Sequence, residues 1–304
     1  MQPASAPSDR GTPAEPVRAA RDSAAPGPAG VAQTTLASEP AAIRPAPAAT
    51  PNRAAITSRL RAAGCVYAED EAALLAADAR DPADLERMLA ARIAGTPIEL
   101  VLGWAEFHGL RIAVEAGVFV PRRRTGLLVD TAVTLAAPGA VVVDLCCGTG
   151  AIGAAIAARR PDLEVWASDV DPDAVRCARR NIHPDHVVEG DLFDALPKEL
   201  RGRIGAVVAN APYVPTGEIA LMPREARDWE HAVALDGGDD GLAVQRRVAA
   251  QSREWLAPGA VVIVETSERQ APLSAALLAA AGLRAAVASA PDIDATAVIG
   301  RRAG

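Results

Sequence analysis

Beyond residue 119 the chain alternates short apolar runs with helical segments, at 141–145, 152–160, 163–167, 174–181, 206–209, 242–256, 260–265 and 271–281. Apolar runs of this length that alternate with helical patterns read as strands joined by helical crossovers, and such crossovers make neighbouring strands parallel. The pattern therefore predicts an α/β fold with a doubly wound parallel sheet. Two closing runs, 283–289 and 295–299, are expected to finish the sheet as an antiparallel edge hairpin, and a further run at 187–190 makes seven strands in all.

The region before residue 119 reads differently. Residues 1–50 are rich in Ala, Pro, Ser and Gly without a hydrophobic period, the composition of a disordered tail. In 51–98 apolar residues recur at helical spacing (Ile56 and Leu60; Leu74 and Leu75; Leu85, Met88, Leu89 and Ile93), with Asp81-Pro82 as a helix start and Gly95-Thr96-Pro97 as a stop. A small helical domain is expected there. Residues 99–118 hold two strand-like runs around His108-Gly109, a hairpin linking it to the main domain at 119–304.

Half of the 304 residues are hydrophobic, enough for a sizeable core, and the net charge of −7 weighs against a surface built for phosphate backbones. Basic character comes almost wholly from arginine, with Lys198 the single lysine. Cys65, Cys146, Cys147 and Cys177 show neither metal spacing nor a disulfide framework, which fits a reducing cytoplasm. No apolar run approaches the ~18 residues of a membrane span, and no signal-peptide core stands at the amino terminus. Cytoplasmic localisation with no membrane contact is expected, and a monomer.

If 141–145 is the first strand of the sheet, the turn Asp144-Leu145-Cys146-Cys147-Gly148-Thr149-Gly150 lies where open α/β sheets bind ligands. Its glycines let the backbone approach a ligand closely. The spacing Asp-x-x-x-Gly-x-Gly fits the donor turn of a methyltransferase better than a dinucleotide turn. Cys146 and Cys147 read as small packing residues in that turn, not as reactive thiols. Asp169 ends the next strand run about twenty residues on, where a carboxylate can accept both hydroxyls of a ribose. Asp191 follows a third run and can accept from an adenine amino group, with Leu192 packing on the ring; a solvated loop aspartate or a helix cap is the plain alternative. Asp171 and Asp173, flanking Pro172, read as helix caps.

About sixty residues beyond the turn, Asn210-Ala211-Pro212-Tyr213 directly follows the apolar run at 206–209. An amide or exocyclic amine is a poor nucleophile, because its lone pair is spread into a neighbouring π system. The Asn210 side-chain oxygen and the Ala211 carbonyl offer two acceptors that can fix such a nitrogen in line with a sulfonium methyl, with the Tyr213 ring against the flat target. Help of this kind is positioning and electrostatics, and supplies several kcal/mol. The residues point to methylation of an amide or amino nitrogen.

The chain from about Arg53 onward resembles the HemK/PrmC-type protein-(glutamine N5) methyltransferases. The resemblance rests on an ordered series: Gly95-Thr96-Pro97-Ile98; Leu102-Gly103-Trp104-Ala105-Glu106-Phe107-His108-Gly109-Leu110; Gly117-Val118-Phe119-Val120-Pro121-Arg122; the turn from Asp144 to Gly150; Asp169; the tetrapeptide at Asn210; and Ala234-Leu235-Asp236-Gly237-Gly238-Asp239-Asp240-Gly241-Leu242. It implies a Rossmann-like class I fold binding S-adenosyl-L-methionine, and an amino-terminal helical domain that docks a peptide chain release factor. The glutamine of that factor's Gly-Gly-Gln loop would be gripped by Asn210, Ala211, Pro212 and Tyr213, with Phe119 lining the same pocket.

The chain departs from that pattern in three places. Ala211 stands where the family has proline, but only its carbonyl is needed, and Pro212 still biases it toward extended backbone. Cys146 replaces a glycine and should narrow the donor pocket slightly. After Pro121-Arg122 the family usually carries proline, an acid, Thr and Glu, whereas here stand Arg123-Arg124-Thr125-Gly126. That cluster favours the alternative of an rRNA or DNA amino-group methyltransferase, unless the arginines are solvated or bridge to acids of the loop 214–240. A donor-binding protein without turnover is a further alternative. His108, His183, His186 and His231 show no spacing of a base or ligand set, and no metal is expected.

Overall fold

The computed structural model describes residues 52–222 and 224–304. The tail expected at 1–50 lies outside them.

The amino-terminal helices are α1 (Arg53–Ala62), α2 (Ala68–Asp78) and α3 (Pro82–Ile93). Asp81 caps α3 as its sequence foretold, its carboxylate accepting from the Asp84 amide at 2.8 Å with Pro82 in the first helical position. Ile56, Leu60, Leu75, Leu85 and Leu89 close the core between these helices, each worth about 1.5–3 kcal/mol of burial. A fourth short helix, α4 (Ile98–Leu102), packs Ile98, Val101 and Leu102 on the same core. The segment expected at 99–118 as a hairpin therefore begins as helix, and left-handed Gly103 ends it.

The hairpin follows as β1 (Trp104–Phe107) and β2 (Leu110–Ala113), paired antiparallel through His108-Gly109. Both turn residues have positive φ, 55° and 80°, which a two-residue turn matched to strand twist requires. The hairpin reaches α5 (Gly126–Leu135), a helix the apolar pattern had not singled out. His108 Nε2 lies 3.4 Å from Asp130 Oδ1 on it.

The sheet comprises β3 (Val141–Leu145), β4 (Glu164–Asp169), β5 (Val187–Glu189), β6 (Ile204–Ala209), β7 (Leu256–Thr266), β8 (Arg284–Ala290) and β9 (Ala295–Arg301), in the order β5-β4-β3-β6-β7-β9-β8. The first five are parallel, and β8 and β9 form the expected antiparallel edge. Alternate residues supply the two faces. Val142, Ala206, Val208 and Ile263 pack with α5, α6 (Ala151–Arg159) and α7 (Pro172–Ala178). Val143, Leu145, Val207 and Val262 pack with α9 (Ala243–Trp255) and α10 (Ala271–Ala280). Because β3 is flanked by β4 and β6, the strand order reverses beside it, and a crevice opens beyond their carboxyl ends. The long connection from β6 to α9 crosses that crevice and carries α8 (Arg224–Trp229).

Candidate active site

A cavity of about 560 Å3 fills the crevice. Its wall includes Phe119, Cys146, Cys147, Gly148, Thr149, Asp169, Asp191, Leu192, Asn210, Ala211, Pro212 and Tyr213, so nearly all the residues expected from sequence meet there. Asp144 and Gly150 stand behind the wall. Asp144 is fully buried, its Oδ2 accepting from the Gly153 amide at 2.9 Å and its Oδ1 without a partner. That burial holds its carboxyl well above the ordinary carboxylate range. Gly150 is left-handed at φ 75°, and a Cβ there would lie 2.9 Å from Ile182 and 3.1 Å from Ala178. Its role is close packing of the turn on α7.

The turn is tied to β4 by two bonds. The Cys147 amide donates to the Ser168 carbonyl at 3.1 Å, and the Gly148 amide to Asp169 Oδ2 at 2.8 Å. Asp169 Oδ1 accepts from the Asp171 amide at 3.0 Å, so two backbone donors orient a carboxylate whose remaining lone pairs are available to a ligand. Burial raises its pKa, against the pull of those amides. Asn181, which the sequence reading did not single out, braces the turn from outside: its Nδ2 donates to the Thr149 and Ala113 carbonyls at 2.8 and 3.0 Å. Cys146 is left-handed at φ 55°, a conformation suited to the glycine it replaces. Burial pushes both turn thiols far up, so they are inert. Asp191 pairs with Arg247 at the cavity mouth.

On the other flank of β3 from β4, β6 delivers Asn210 at its carboxyl end. Its Nδ2 donates to the hydroxyl of buried Thr125 at 3.4 Å, and both residues line the cavity. The Tyr213 carbonyl accepts from Gln270 Nε2 at 3.0 Å, and its phenol meets Arg124 and Glu265. The loop that follows folds back: Val214 donates to the Leu235 carbonyl and Gly237 to that of Val214, at 3.2 and 2.8 Å. Gly241 packs so tightly behind Tyr213 that a Cβ would lie 2.3 Å from its carbonyl oxygen. Within the loop 214–240, the side chains of Arg224 and Glu225 lie outside the described residues. Arg227 and Asp228 are not part of the cavity wall.

The arginine cluster is largely committed inward. Arg122 Nη2 reaches buried Glu230 Oε1 at 2.6 Å, and Arg124 Nε lies 3.3 Å from Glu265 Oε1. Glu230 belongs to the long loop, so the bridge between arginine and loop acid holds for Arg122. Gly126, where the resembled pattern has glutamate, leaves room for His108, whose ring would stand 3.3 Å from a Cβ there. His231, without any motif, meets Asp171 at 2.7 Å and joins Asp173 in a trio that sequence spacing could not reveal.

Residues 109–223 match the Methyltransferase small domain family. The chain is 39% identical over 232 residues to the release factor glutamine methyltransferase of Mycolicibacterium smegmatis, across 69% of this chain and 82% of that protein. It is 35% identical over 266 residues to the release factor glutamine methyltransferase of Cereibacter sphaeroides, across 80% and 93%. The corresponding protein of Bifidobacterium longum is 31% identical over 269 residues, across 76% and 91%.

Proposed function

The chain belongs to the release factor glutamine methyltransferase family, and from that premise we propose that it methylates the side-chain amide nitrogen of the Gly-Gly-Gln glutamine in a peptide chain release factor. The methyl donor is S-adenosylmethionine. One observation carries the reading: the glycine turn with Asp169 and the tetrapeptide with Asn210, at neighbouring strand ends, line a single cavity.

The cavity suits this donor. The Asp169 carboxylate, oriented by the Gly148 and Asp171 amides, is available to ribose hydroxyls, and Leu192 offers an apolar surface for a purine. Asp191 would accept from the adenine amino group, which requires it to share its carboxylate with Arg247. When bound, the donor supplies an electrophilic methyl on a sulfonium. The protein's work is to orient the amide. Asn210 Oδ1 and the Ala211 carbonyl accept its two N–H groups and hold the nitrogen in line, while the Tyr213 ring and Phe119 flank its plane. Those acceptors also draw off positive charge as the nitrogen bonds to carbon, before a proton passes to solvent.

Helices α1 to α3 serve, in this reading, as the release-factor docking domain, and the enzyme acts as a cytoplasmic monomer. Among the described residues no helix is long and apolar enough to cross a membrane. Nucleic acid is not proposed as the direct substrate: the net charge is −7, and Arg122 and Arg124 are engaged by buried glutamates. The test offers the protein a release factor and total ribosomal RNA side by side at rising salt. Methylation of the factor that persists with salt supports the proposal; transfer to RNA alone, lost steeply with salt, would replace it.

A further inference from the structure

Tyr213 is held at both ends. Its carbonyl accepts from Gln270, and its phenol oxygen sits in a closed triangle of polar contacts. Arg124 Nη2 donates to the phenol oxygen at 2.8 Å, the phenol donates to Glu265 Oε1 at 3.2 Å, and Arg124 Nε reaches that same carboxylate oxygen at 3.3 Å. The three residues come from a single turn at Arg123–Thr125 ahead of α5, from the tetrapeptide after β6, and from the carboxyl end of β7. Ala209 pairs with Val264, so Asn210 and Glu265 are the next residues along adjacent parallel strands.

We propose that Arg124 is a positioning residue for methyl transfer: together with Glu265 it grips the Tyr213 phenol by both its acceptor and its donor, and so fixes the ring against which the acceptor amide lies. The inference rests on the methyltransferase reading of the cavity. It explains why a cation stands here. Glu265 is 2% exposed, and its Oε2 has no hydrogen-bond partner, so the carboxylate needs a charge partner. Arg124 is the cation that ion-pairs with it among the described residues. The planar guanidinium can serve two acceptors from one rigid fork, which a lysine cannot. Burial and the Glu265 charge push the phenol up to about 12, which keeps it a protonated donor at working pH. Arg124 and Tyr213 both line the cavity, so a change in this triangle is felt where the acceptor sits.

A purely structural counter-ion for Glu265 would have the same bonds, so the test must separate the two roles. Arg124→Met alone strands a buried carboxylate and can unfold the protein; Arg124→Met with Glu265→Gln removes the charges together. In that double variant the account expects kcat on a release factor to fall by about tenfold or more, with the dissociation constant for S-adenosylmethionine within about twofold of the original. Tyr213→Phe, which keeps the ring and loses the anchor, should lower kcat by a similar factor. Combining it with the double variant should add little, since the Arg124 bond is already gone and a neutral glutamine amide holds the phenol only weakly. A double variant with unchanged kcat, or effects that simply multiply, would overturn the proposal. A second readout needs no turnover. The chain has two tyrosines, Tyr67 and Tyr213, so ring-carbon (Cζ) labelling gives two signals, assigned with Tyr67→Phe. The Tyr213 signal should shift in the double variant while that of Tyr67, 70% exposed, stays put; an unmoved Tyr213 signal would overturn the network. Absence of transfer to any release factor by the unaltered protein would sink the substrate reading instead, and the carbon signal would still decide the triangle.

Discussion

The side-chain nitrogen of Asn210 faces the hydroxyl of Thr125 at 3.4 Å, and both residues line the cavity. Thr125 is buried on the turn ahead of α5, and in the proposed mechanism its bond to the Asn210 nitrogen leaves the oxygen for the acceptor amide.

Asn210→Ala should therefore lower turnover by about 100-fold or more, since it deletes an acceptor that acts on the nitrogen in the transition state. Donor affinity should stay nearly constant. Thr125→Val should cost about tenfold in kcat by freeing the amide to flip, and Thr125→Ser should restore it. Steady-state kinetics beside calorimetric donor binding checks all three; unchanged turnover in Asn210→Ala would remove the tetrapeptide from the mechanism.

Asp169 should govern donor binding instead of turnover. In the proposed mechanism its charged form accepts from ribose hydroxyls, and burial raises its pKa. Donor affinity is thus predicted to decline as pH falls through that raised value, at a higher pH than a solvent-exposed aspartate would produce. Asp169→Ala should weaken binding by about tenfold or more and flatten this dependence. Calorimetric titrations of donor across pH test both, and an affinity indifferent to the substitution would contradict the role.

Asp144 makes a prediction about stability. Its folded pKa stands well above the unfolded value, so between the two the native state holds the extra proton. Stability should consequently fall as pH rises through that window, and the unfavourable contribution should be fully present above the folded value. Asp144→Asn keeps an acceptor for the Gly153 amide and removes the titration. The variant should gain on the parent protein as pH rises, measured by denaturant unfolding at several pH values; a constant difference would mean that Asp144 does not titrate this way.

Gly241→Ala should disturb the acceptor side from behind. Its φ of 75° disfavours a side chain, and the new Cβ would strike the Tyr213 carbonyl and Gln270 Nε2, at 2.3 and 2.5 Å. A loss of about 2 kcal/mol or more in stability is expected, with turnover falling further than donor binding. A variant with parental stability and turnover would show that the loop does not back Tyr213.

The sheet was legible because buried parallel strands write themselves as short apolar runs, and the glycine turn because its backbone constraints are local. Asp169 and Asn210 could be found at strand ends for the same reason. Other features left weaker traces. Helix α5 begins at Gly126 without a side-chain cap, so no start signal marks it. The run at α4 is as apolar as a strand, and only Gly103 betrays its helical end. Partners of the site were hidden by distance along the chain: Thr125 lies 85 residues from Asn210, and Glu265 lies 141 from Arg124. The arginine cluster looked like a phosphate-binding surface because sequence shows the charges and not the buried glutamates that answer them.

The most direct measurement is transfer of labelled methyl from S-adenosylmethionine to a release factor of the same organism, beside the same factor with its Gly-Gly-Gln glutamine replaced. The account predicts label on the intact factor, lost when the glutamine is replaced or when Asn210→Ala is the enzyme. Label that persists on the glutamine-replaced factor, or that never reaches the intact one, would contradict it.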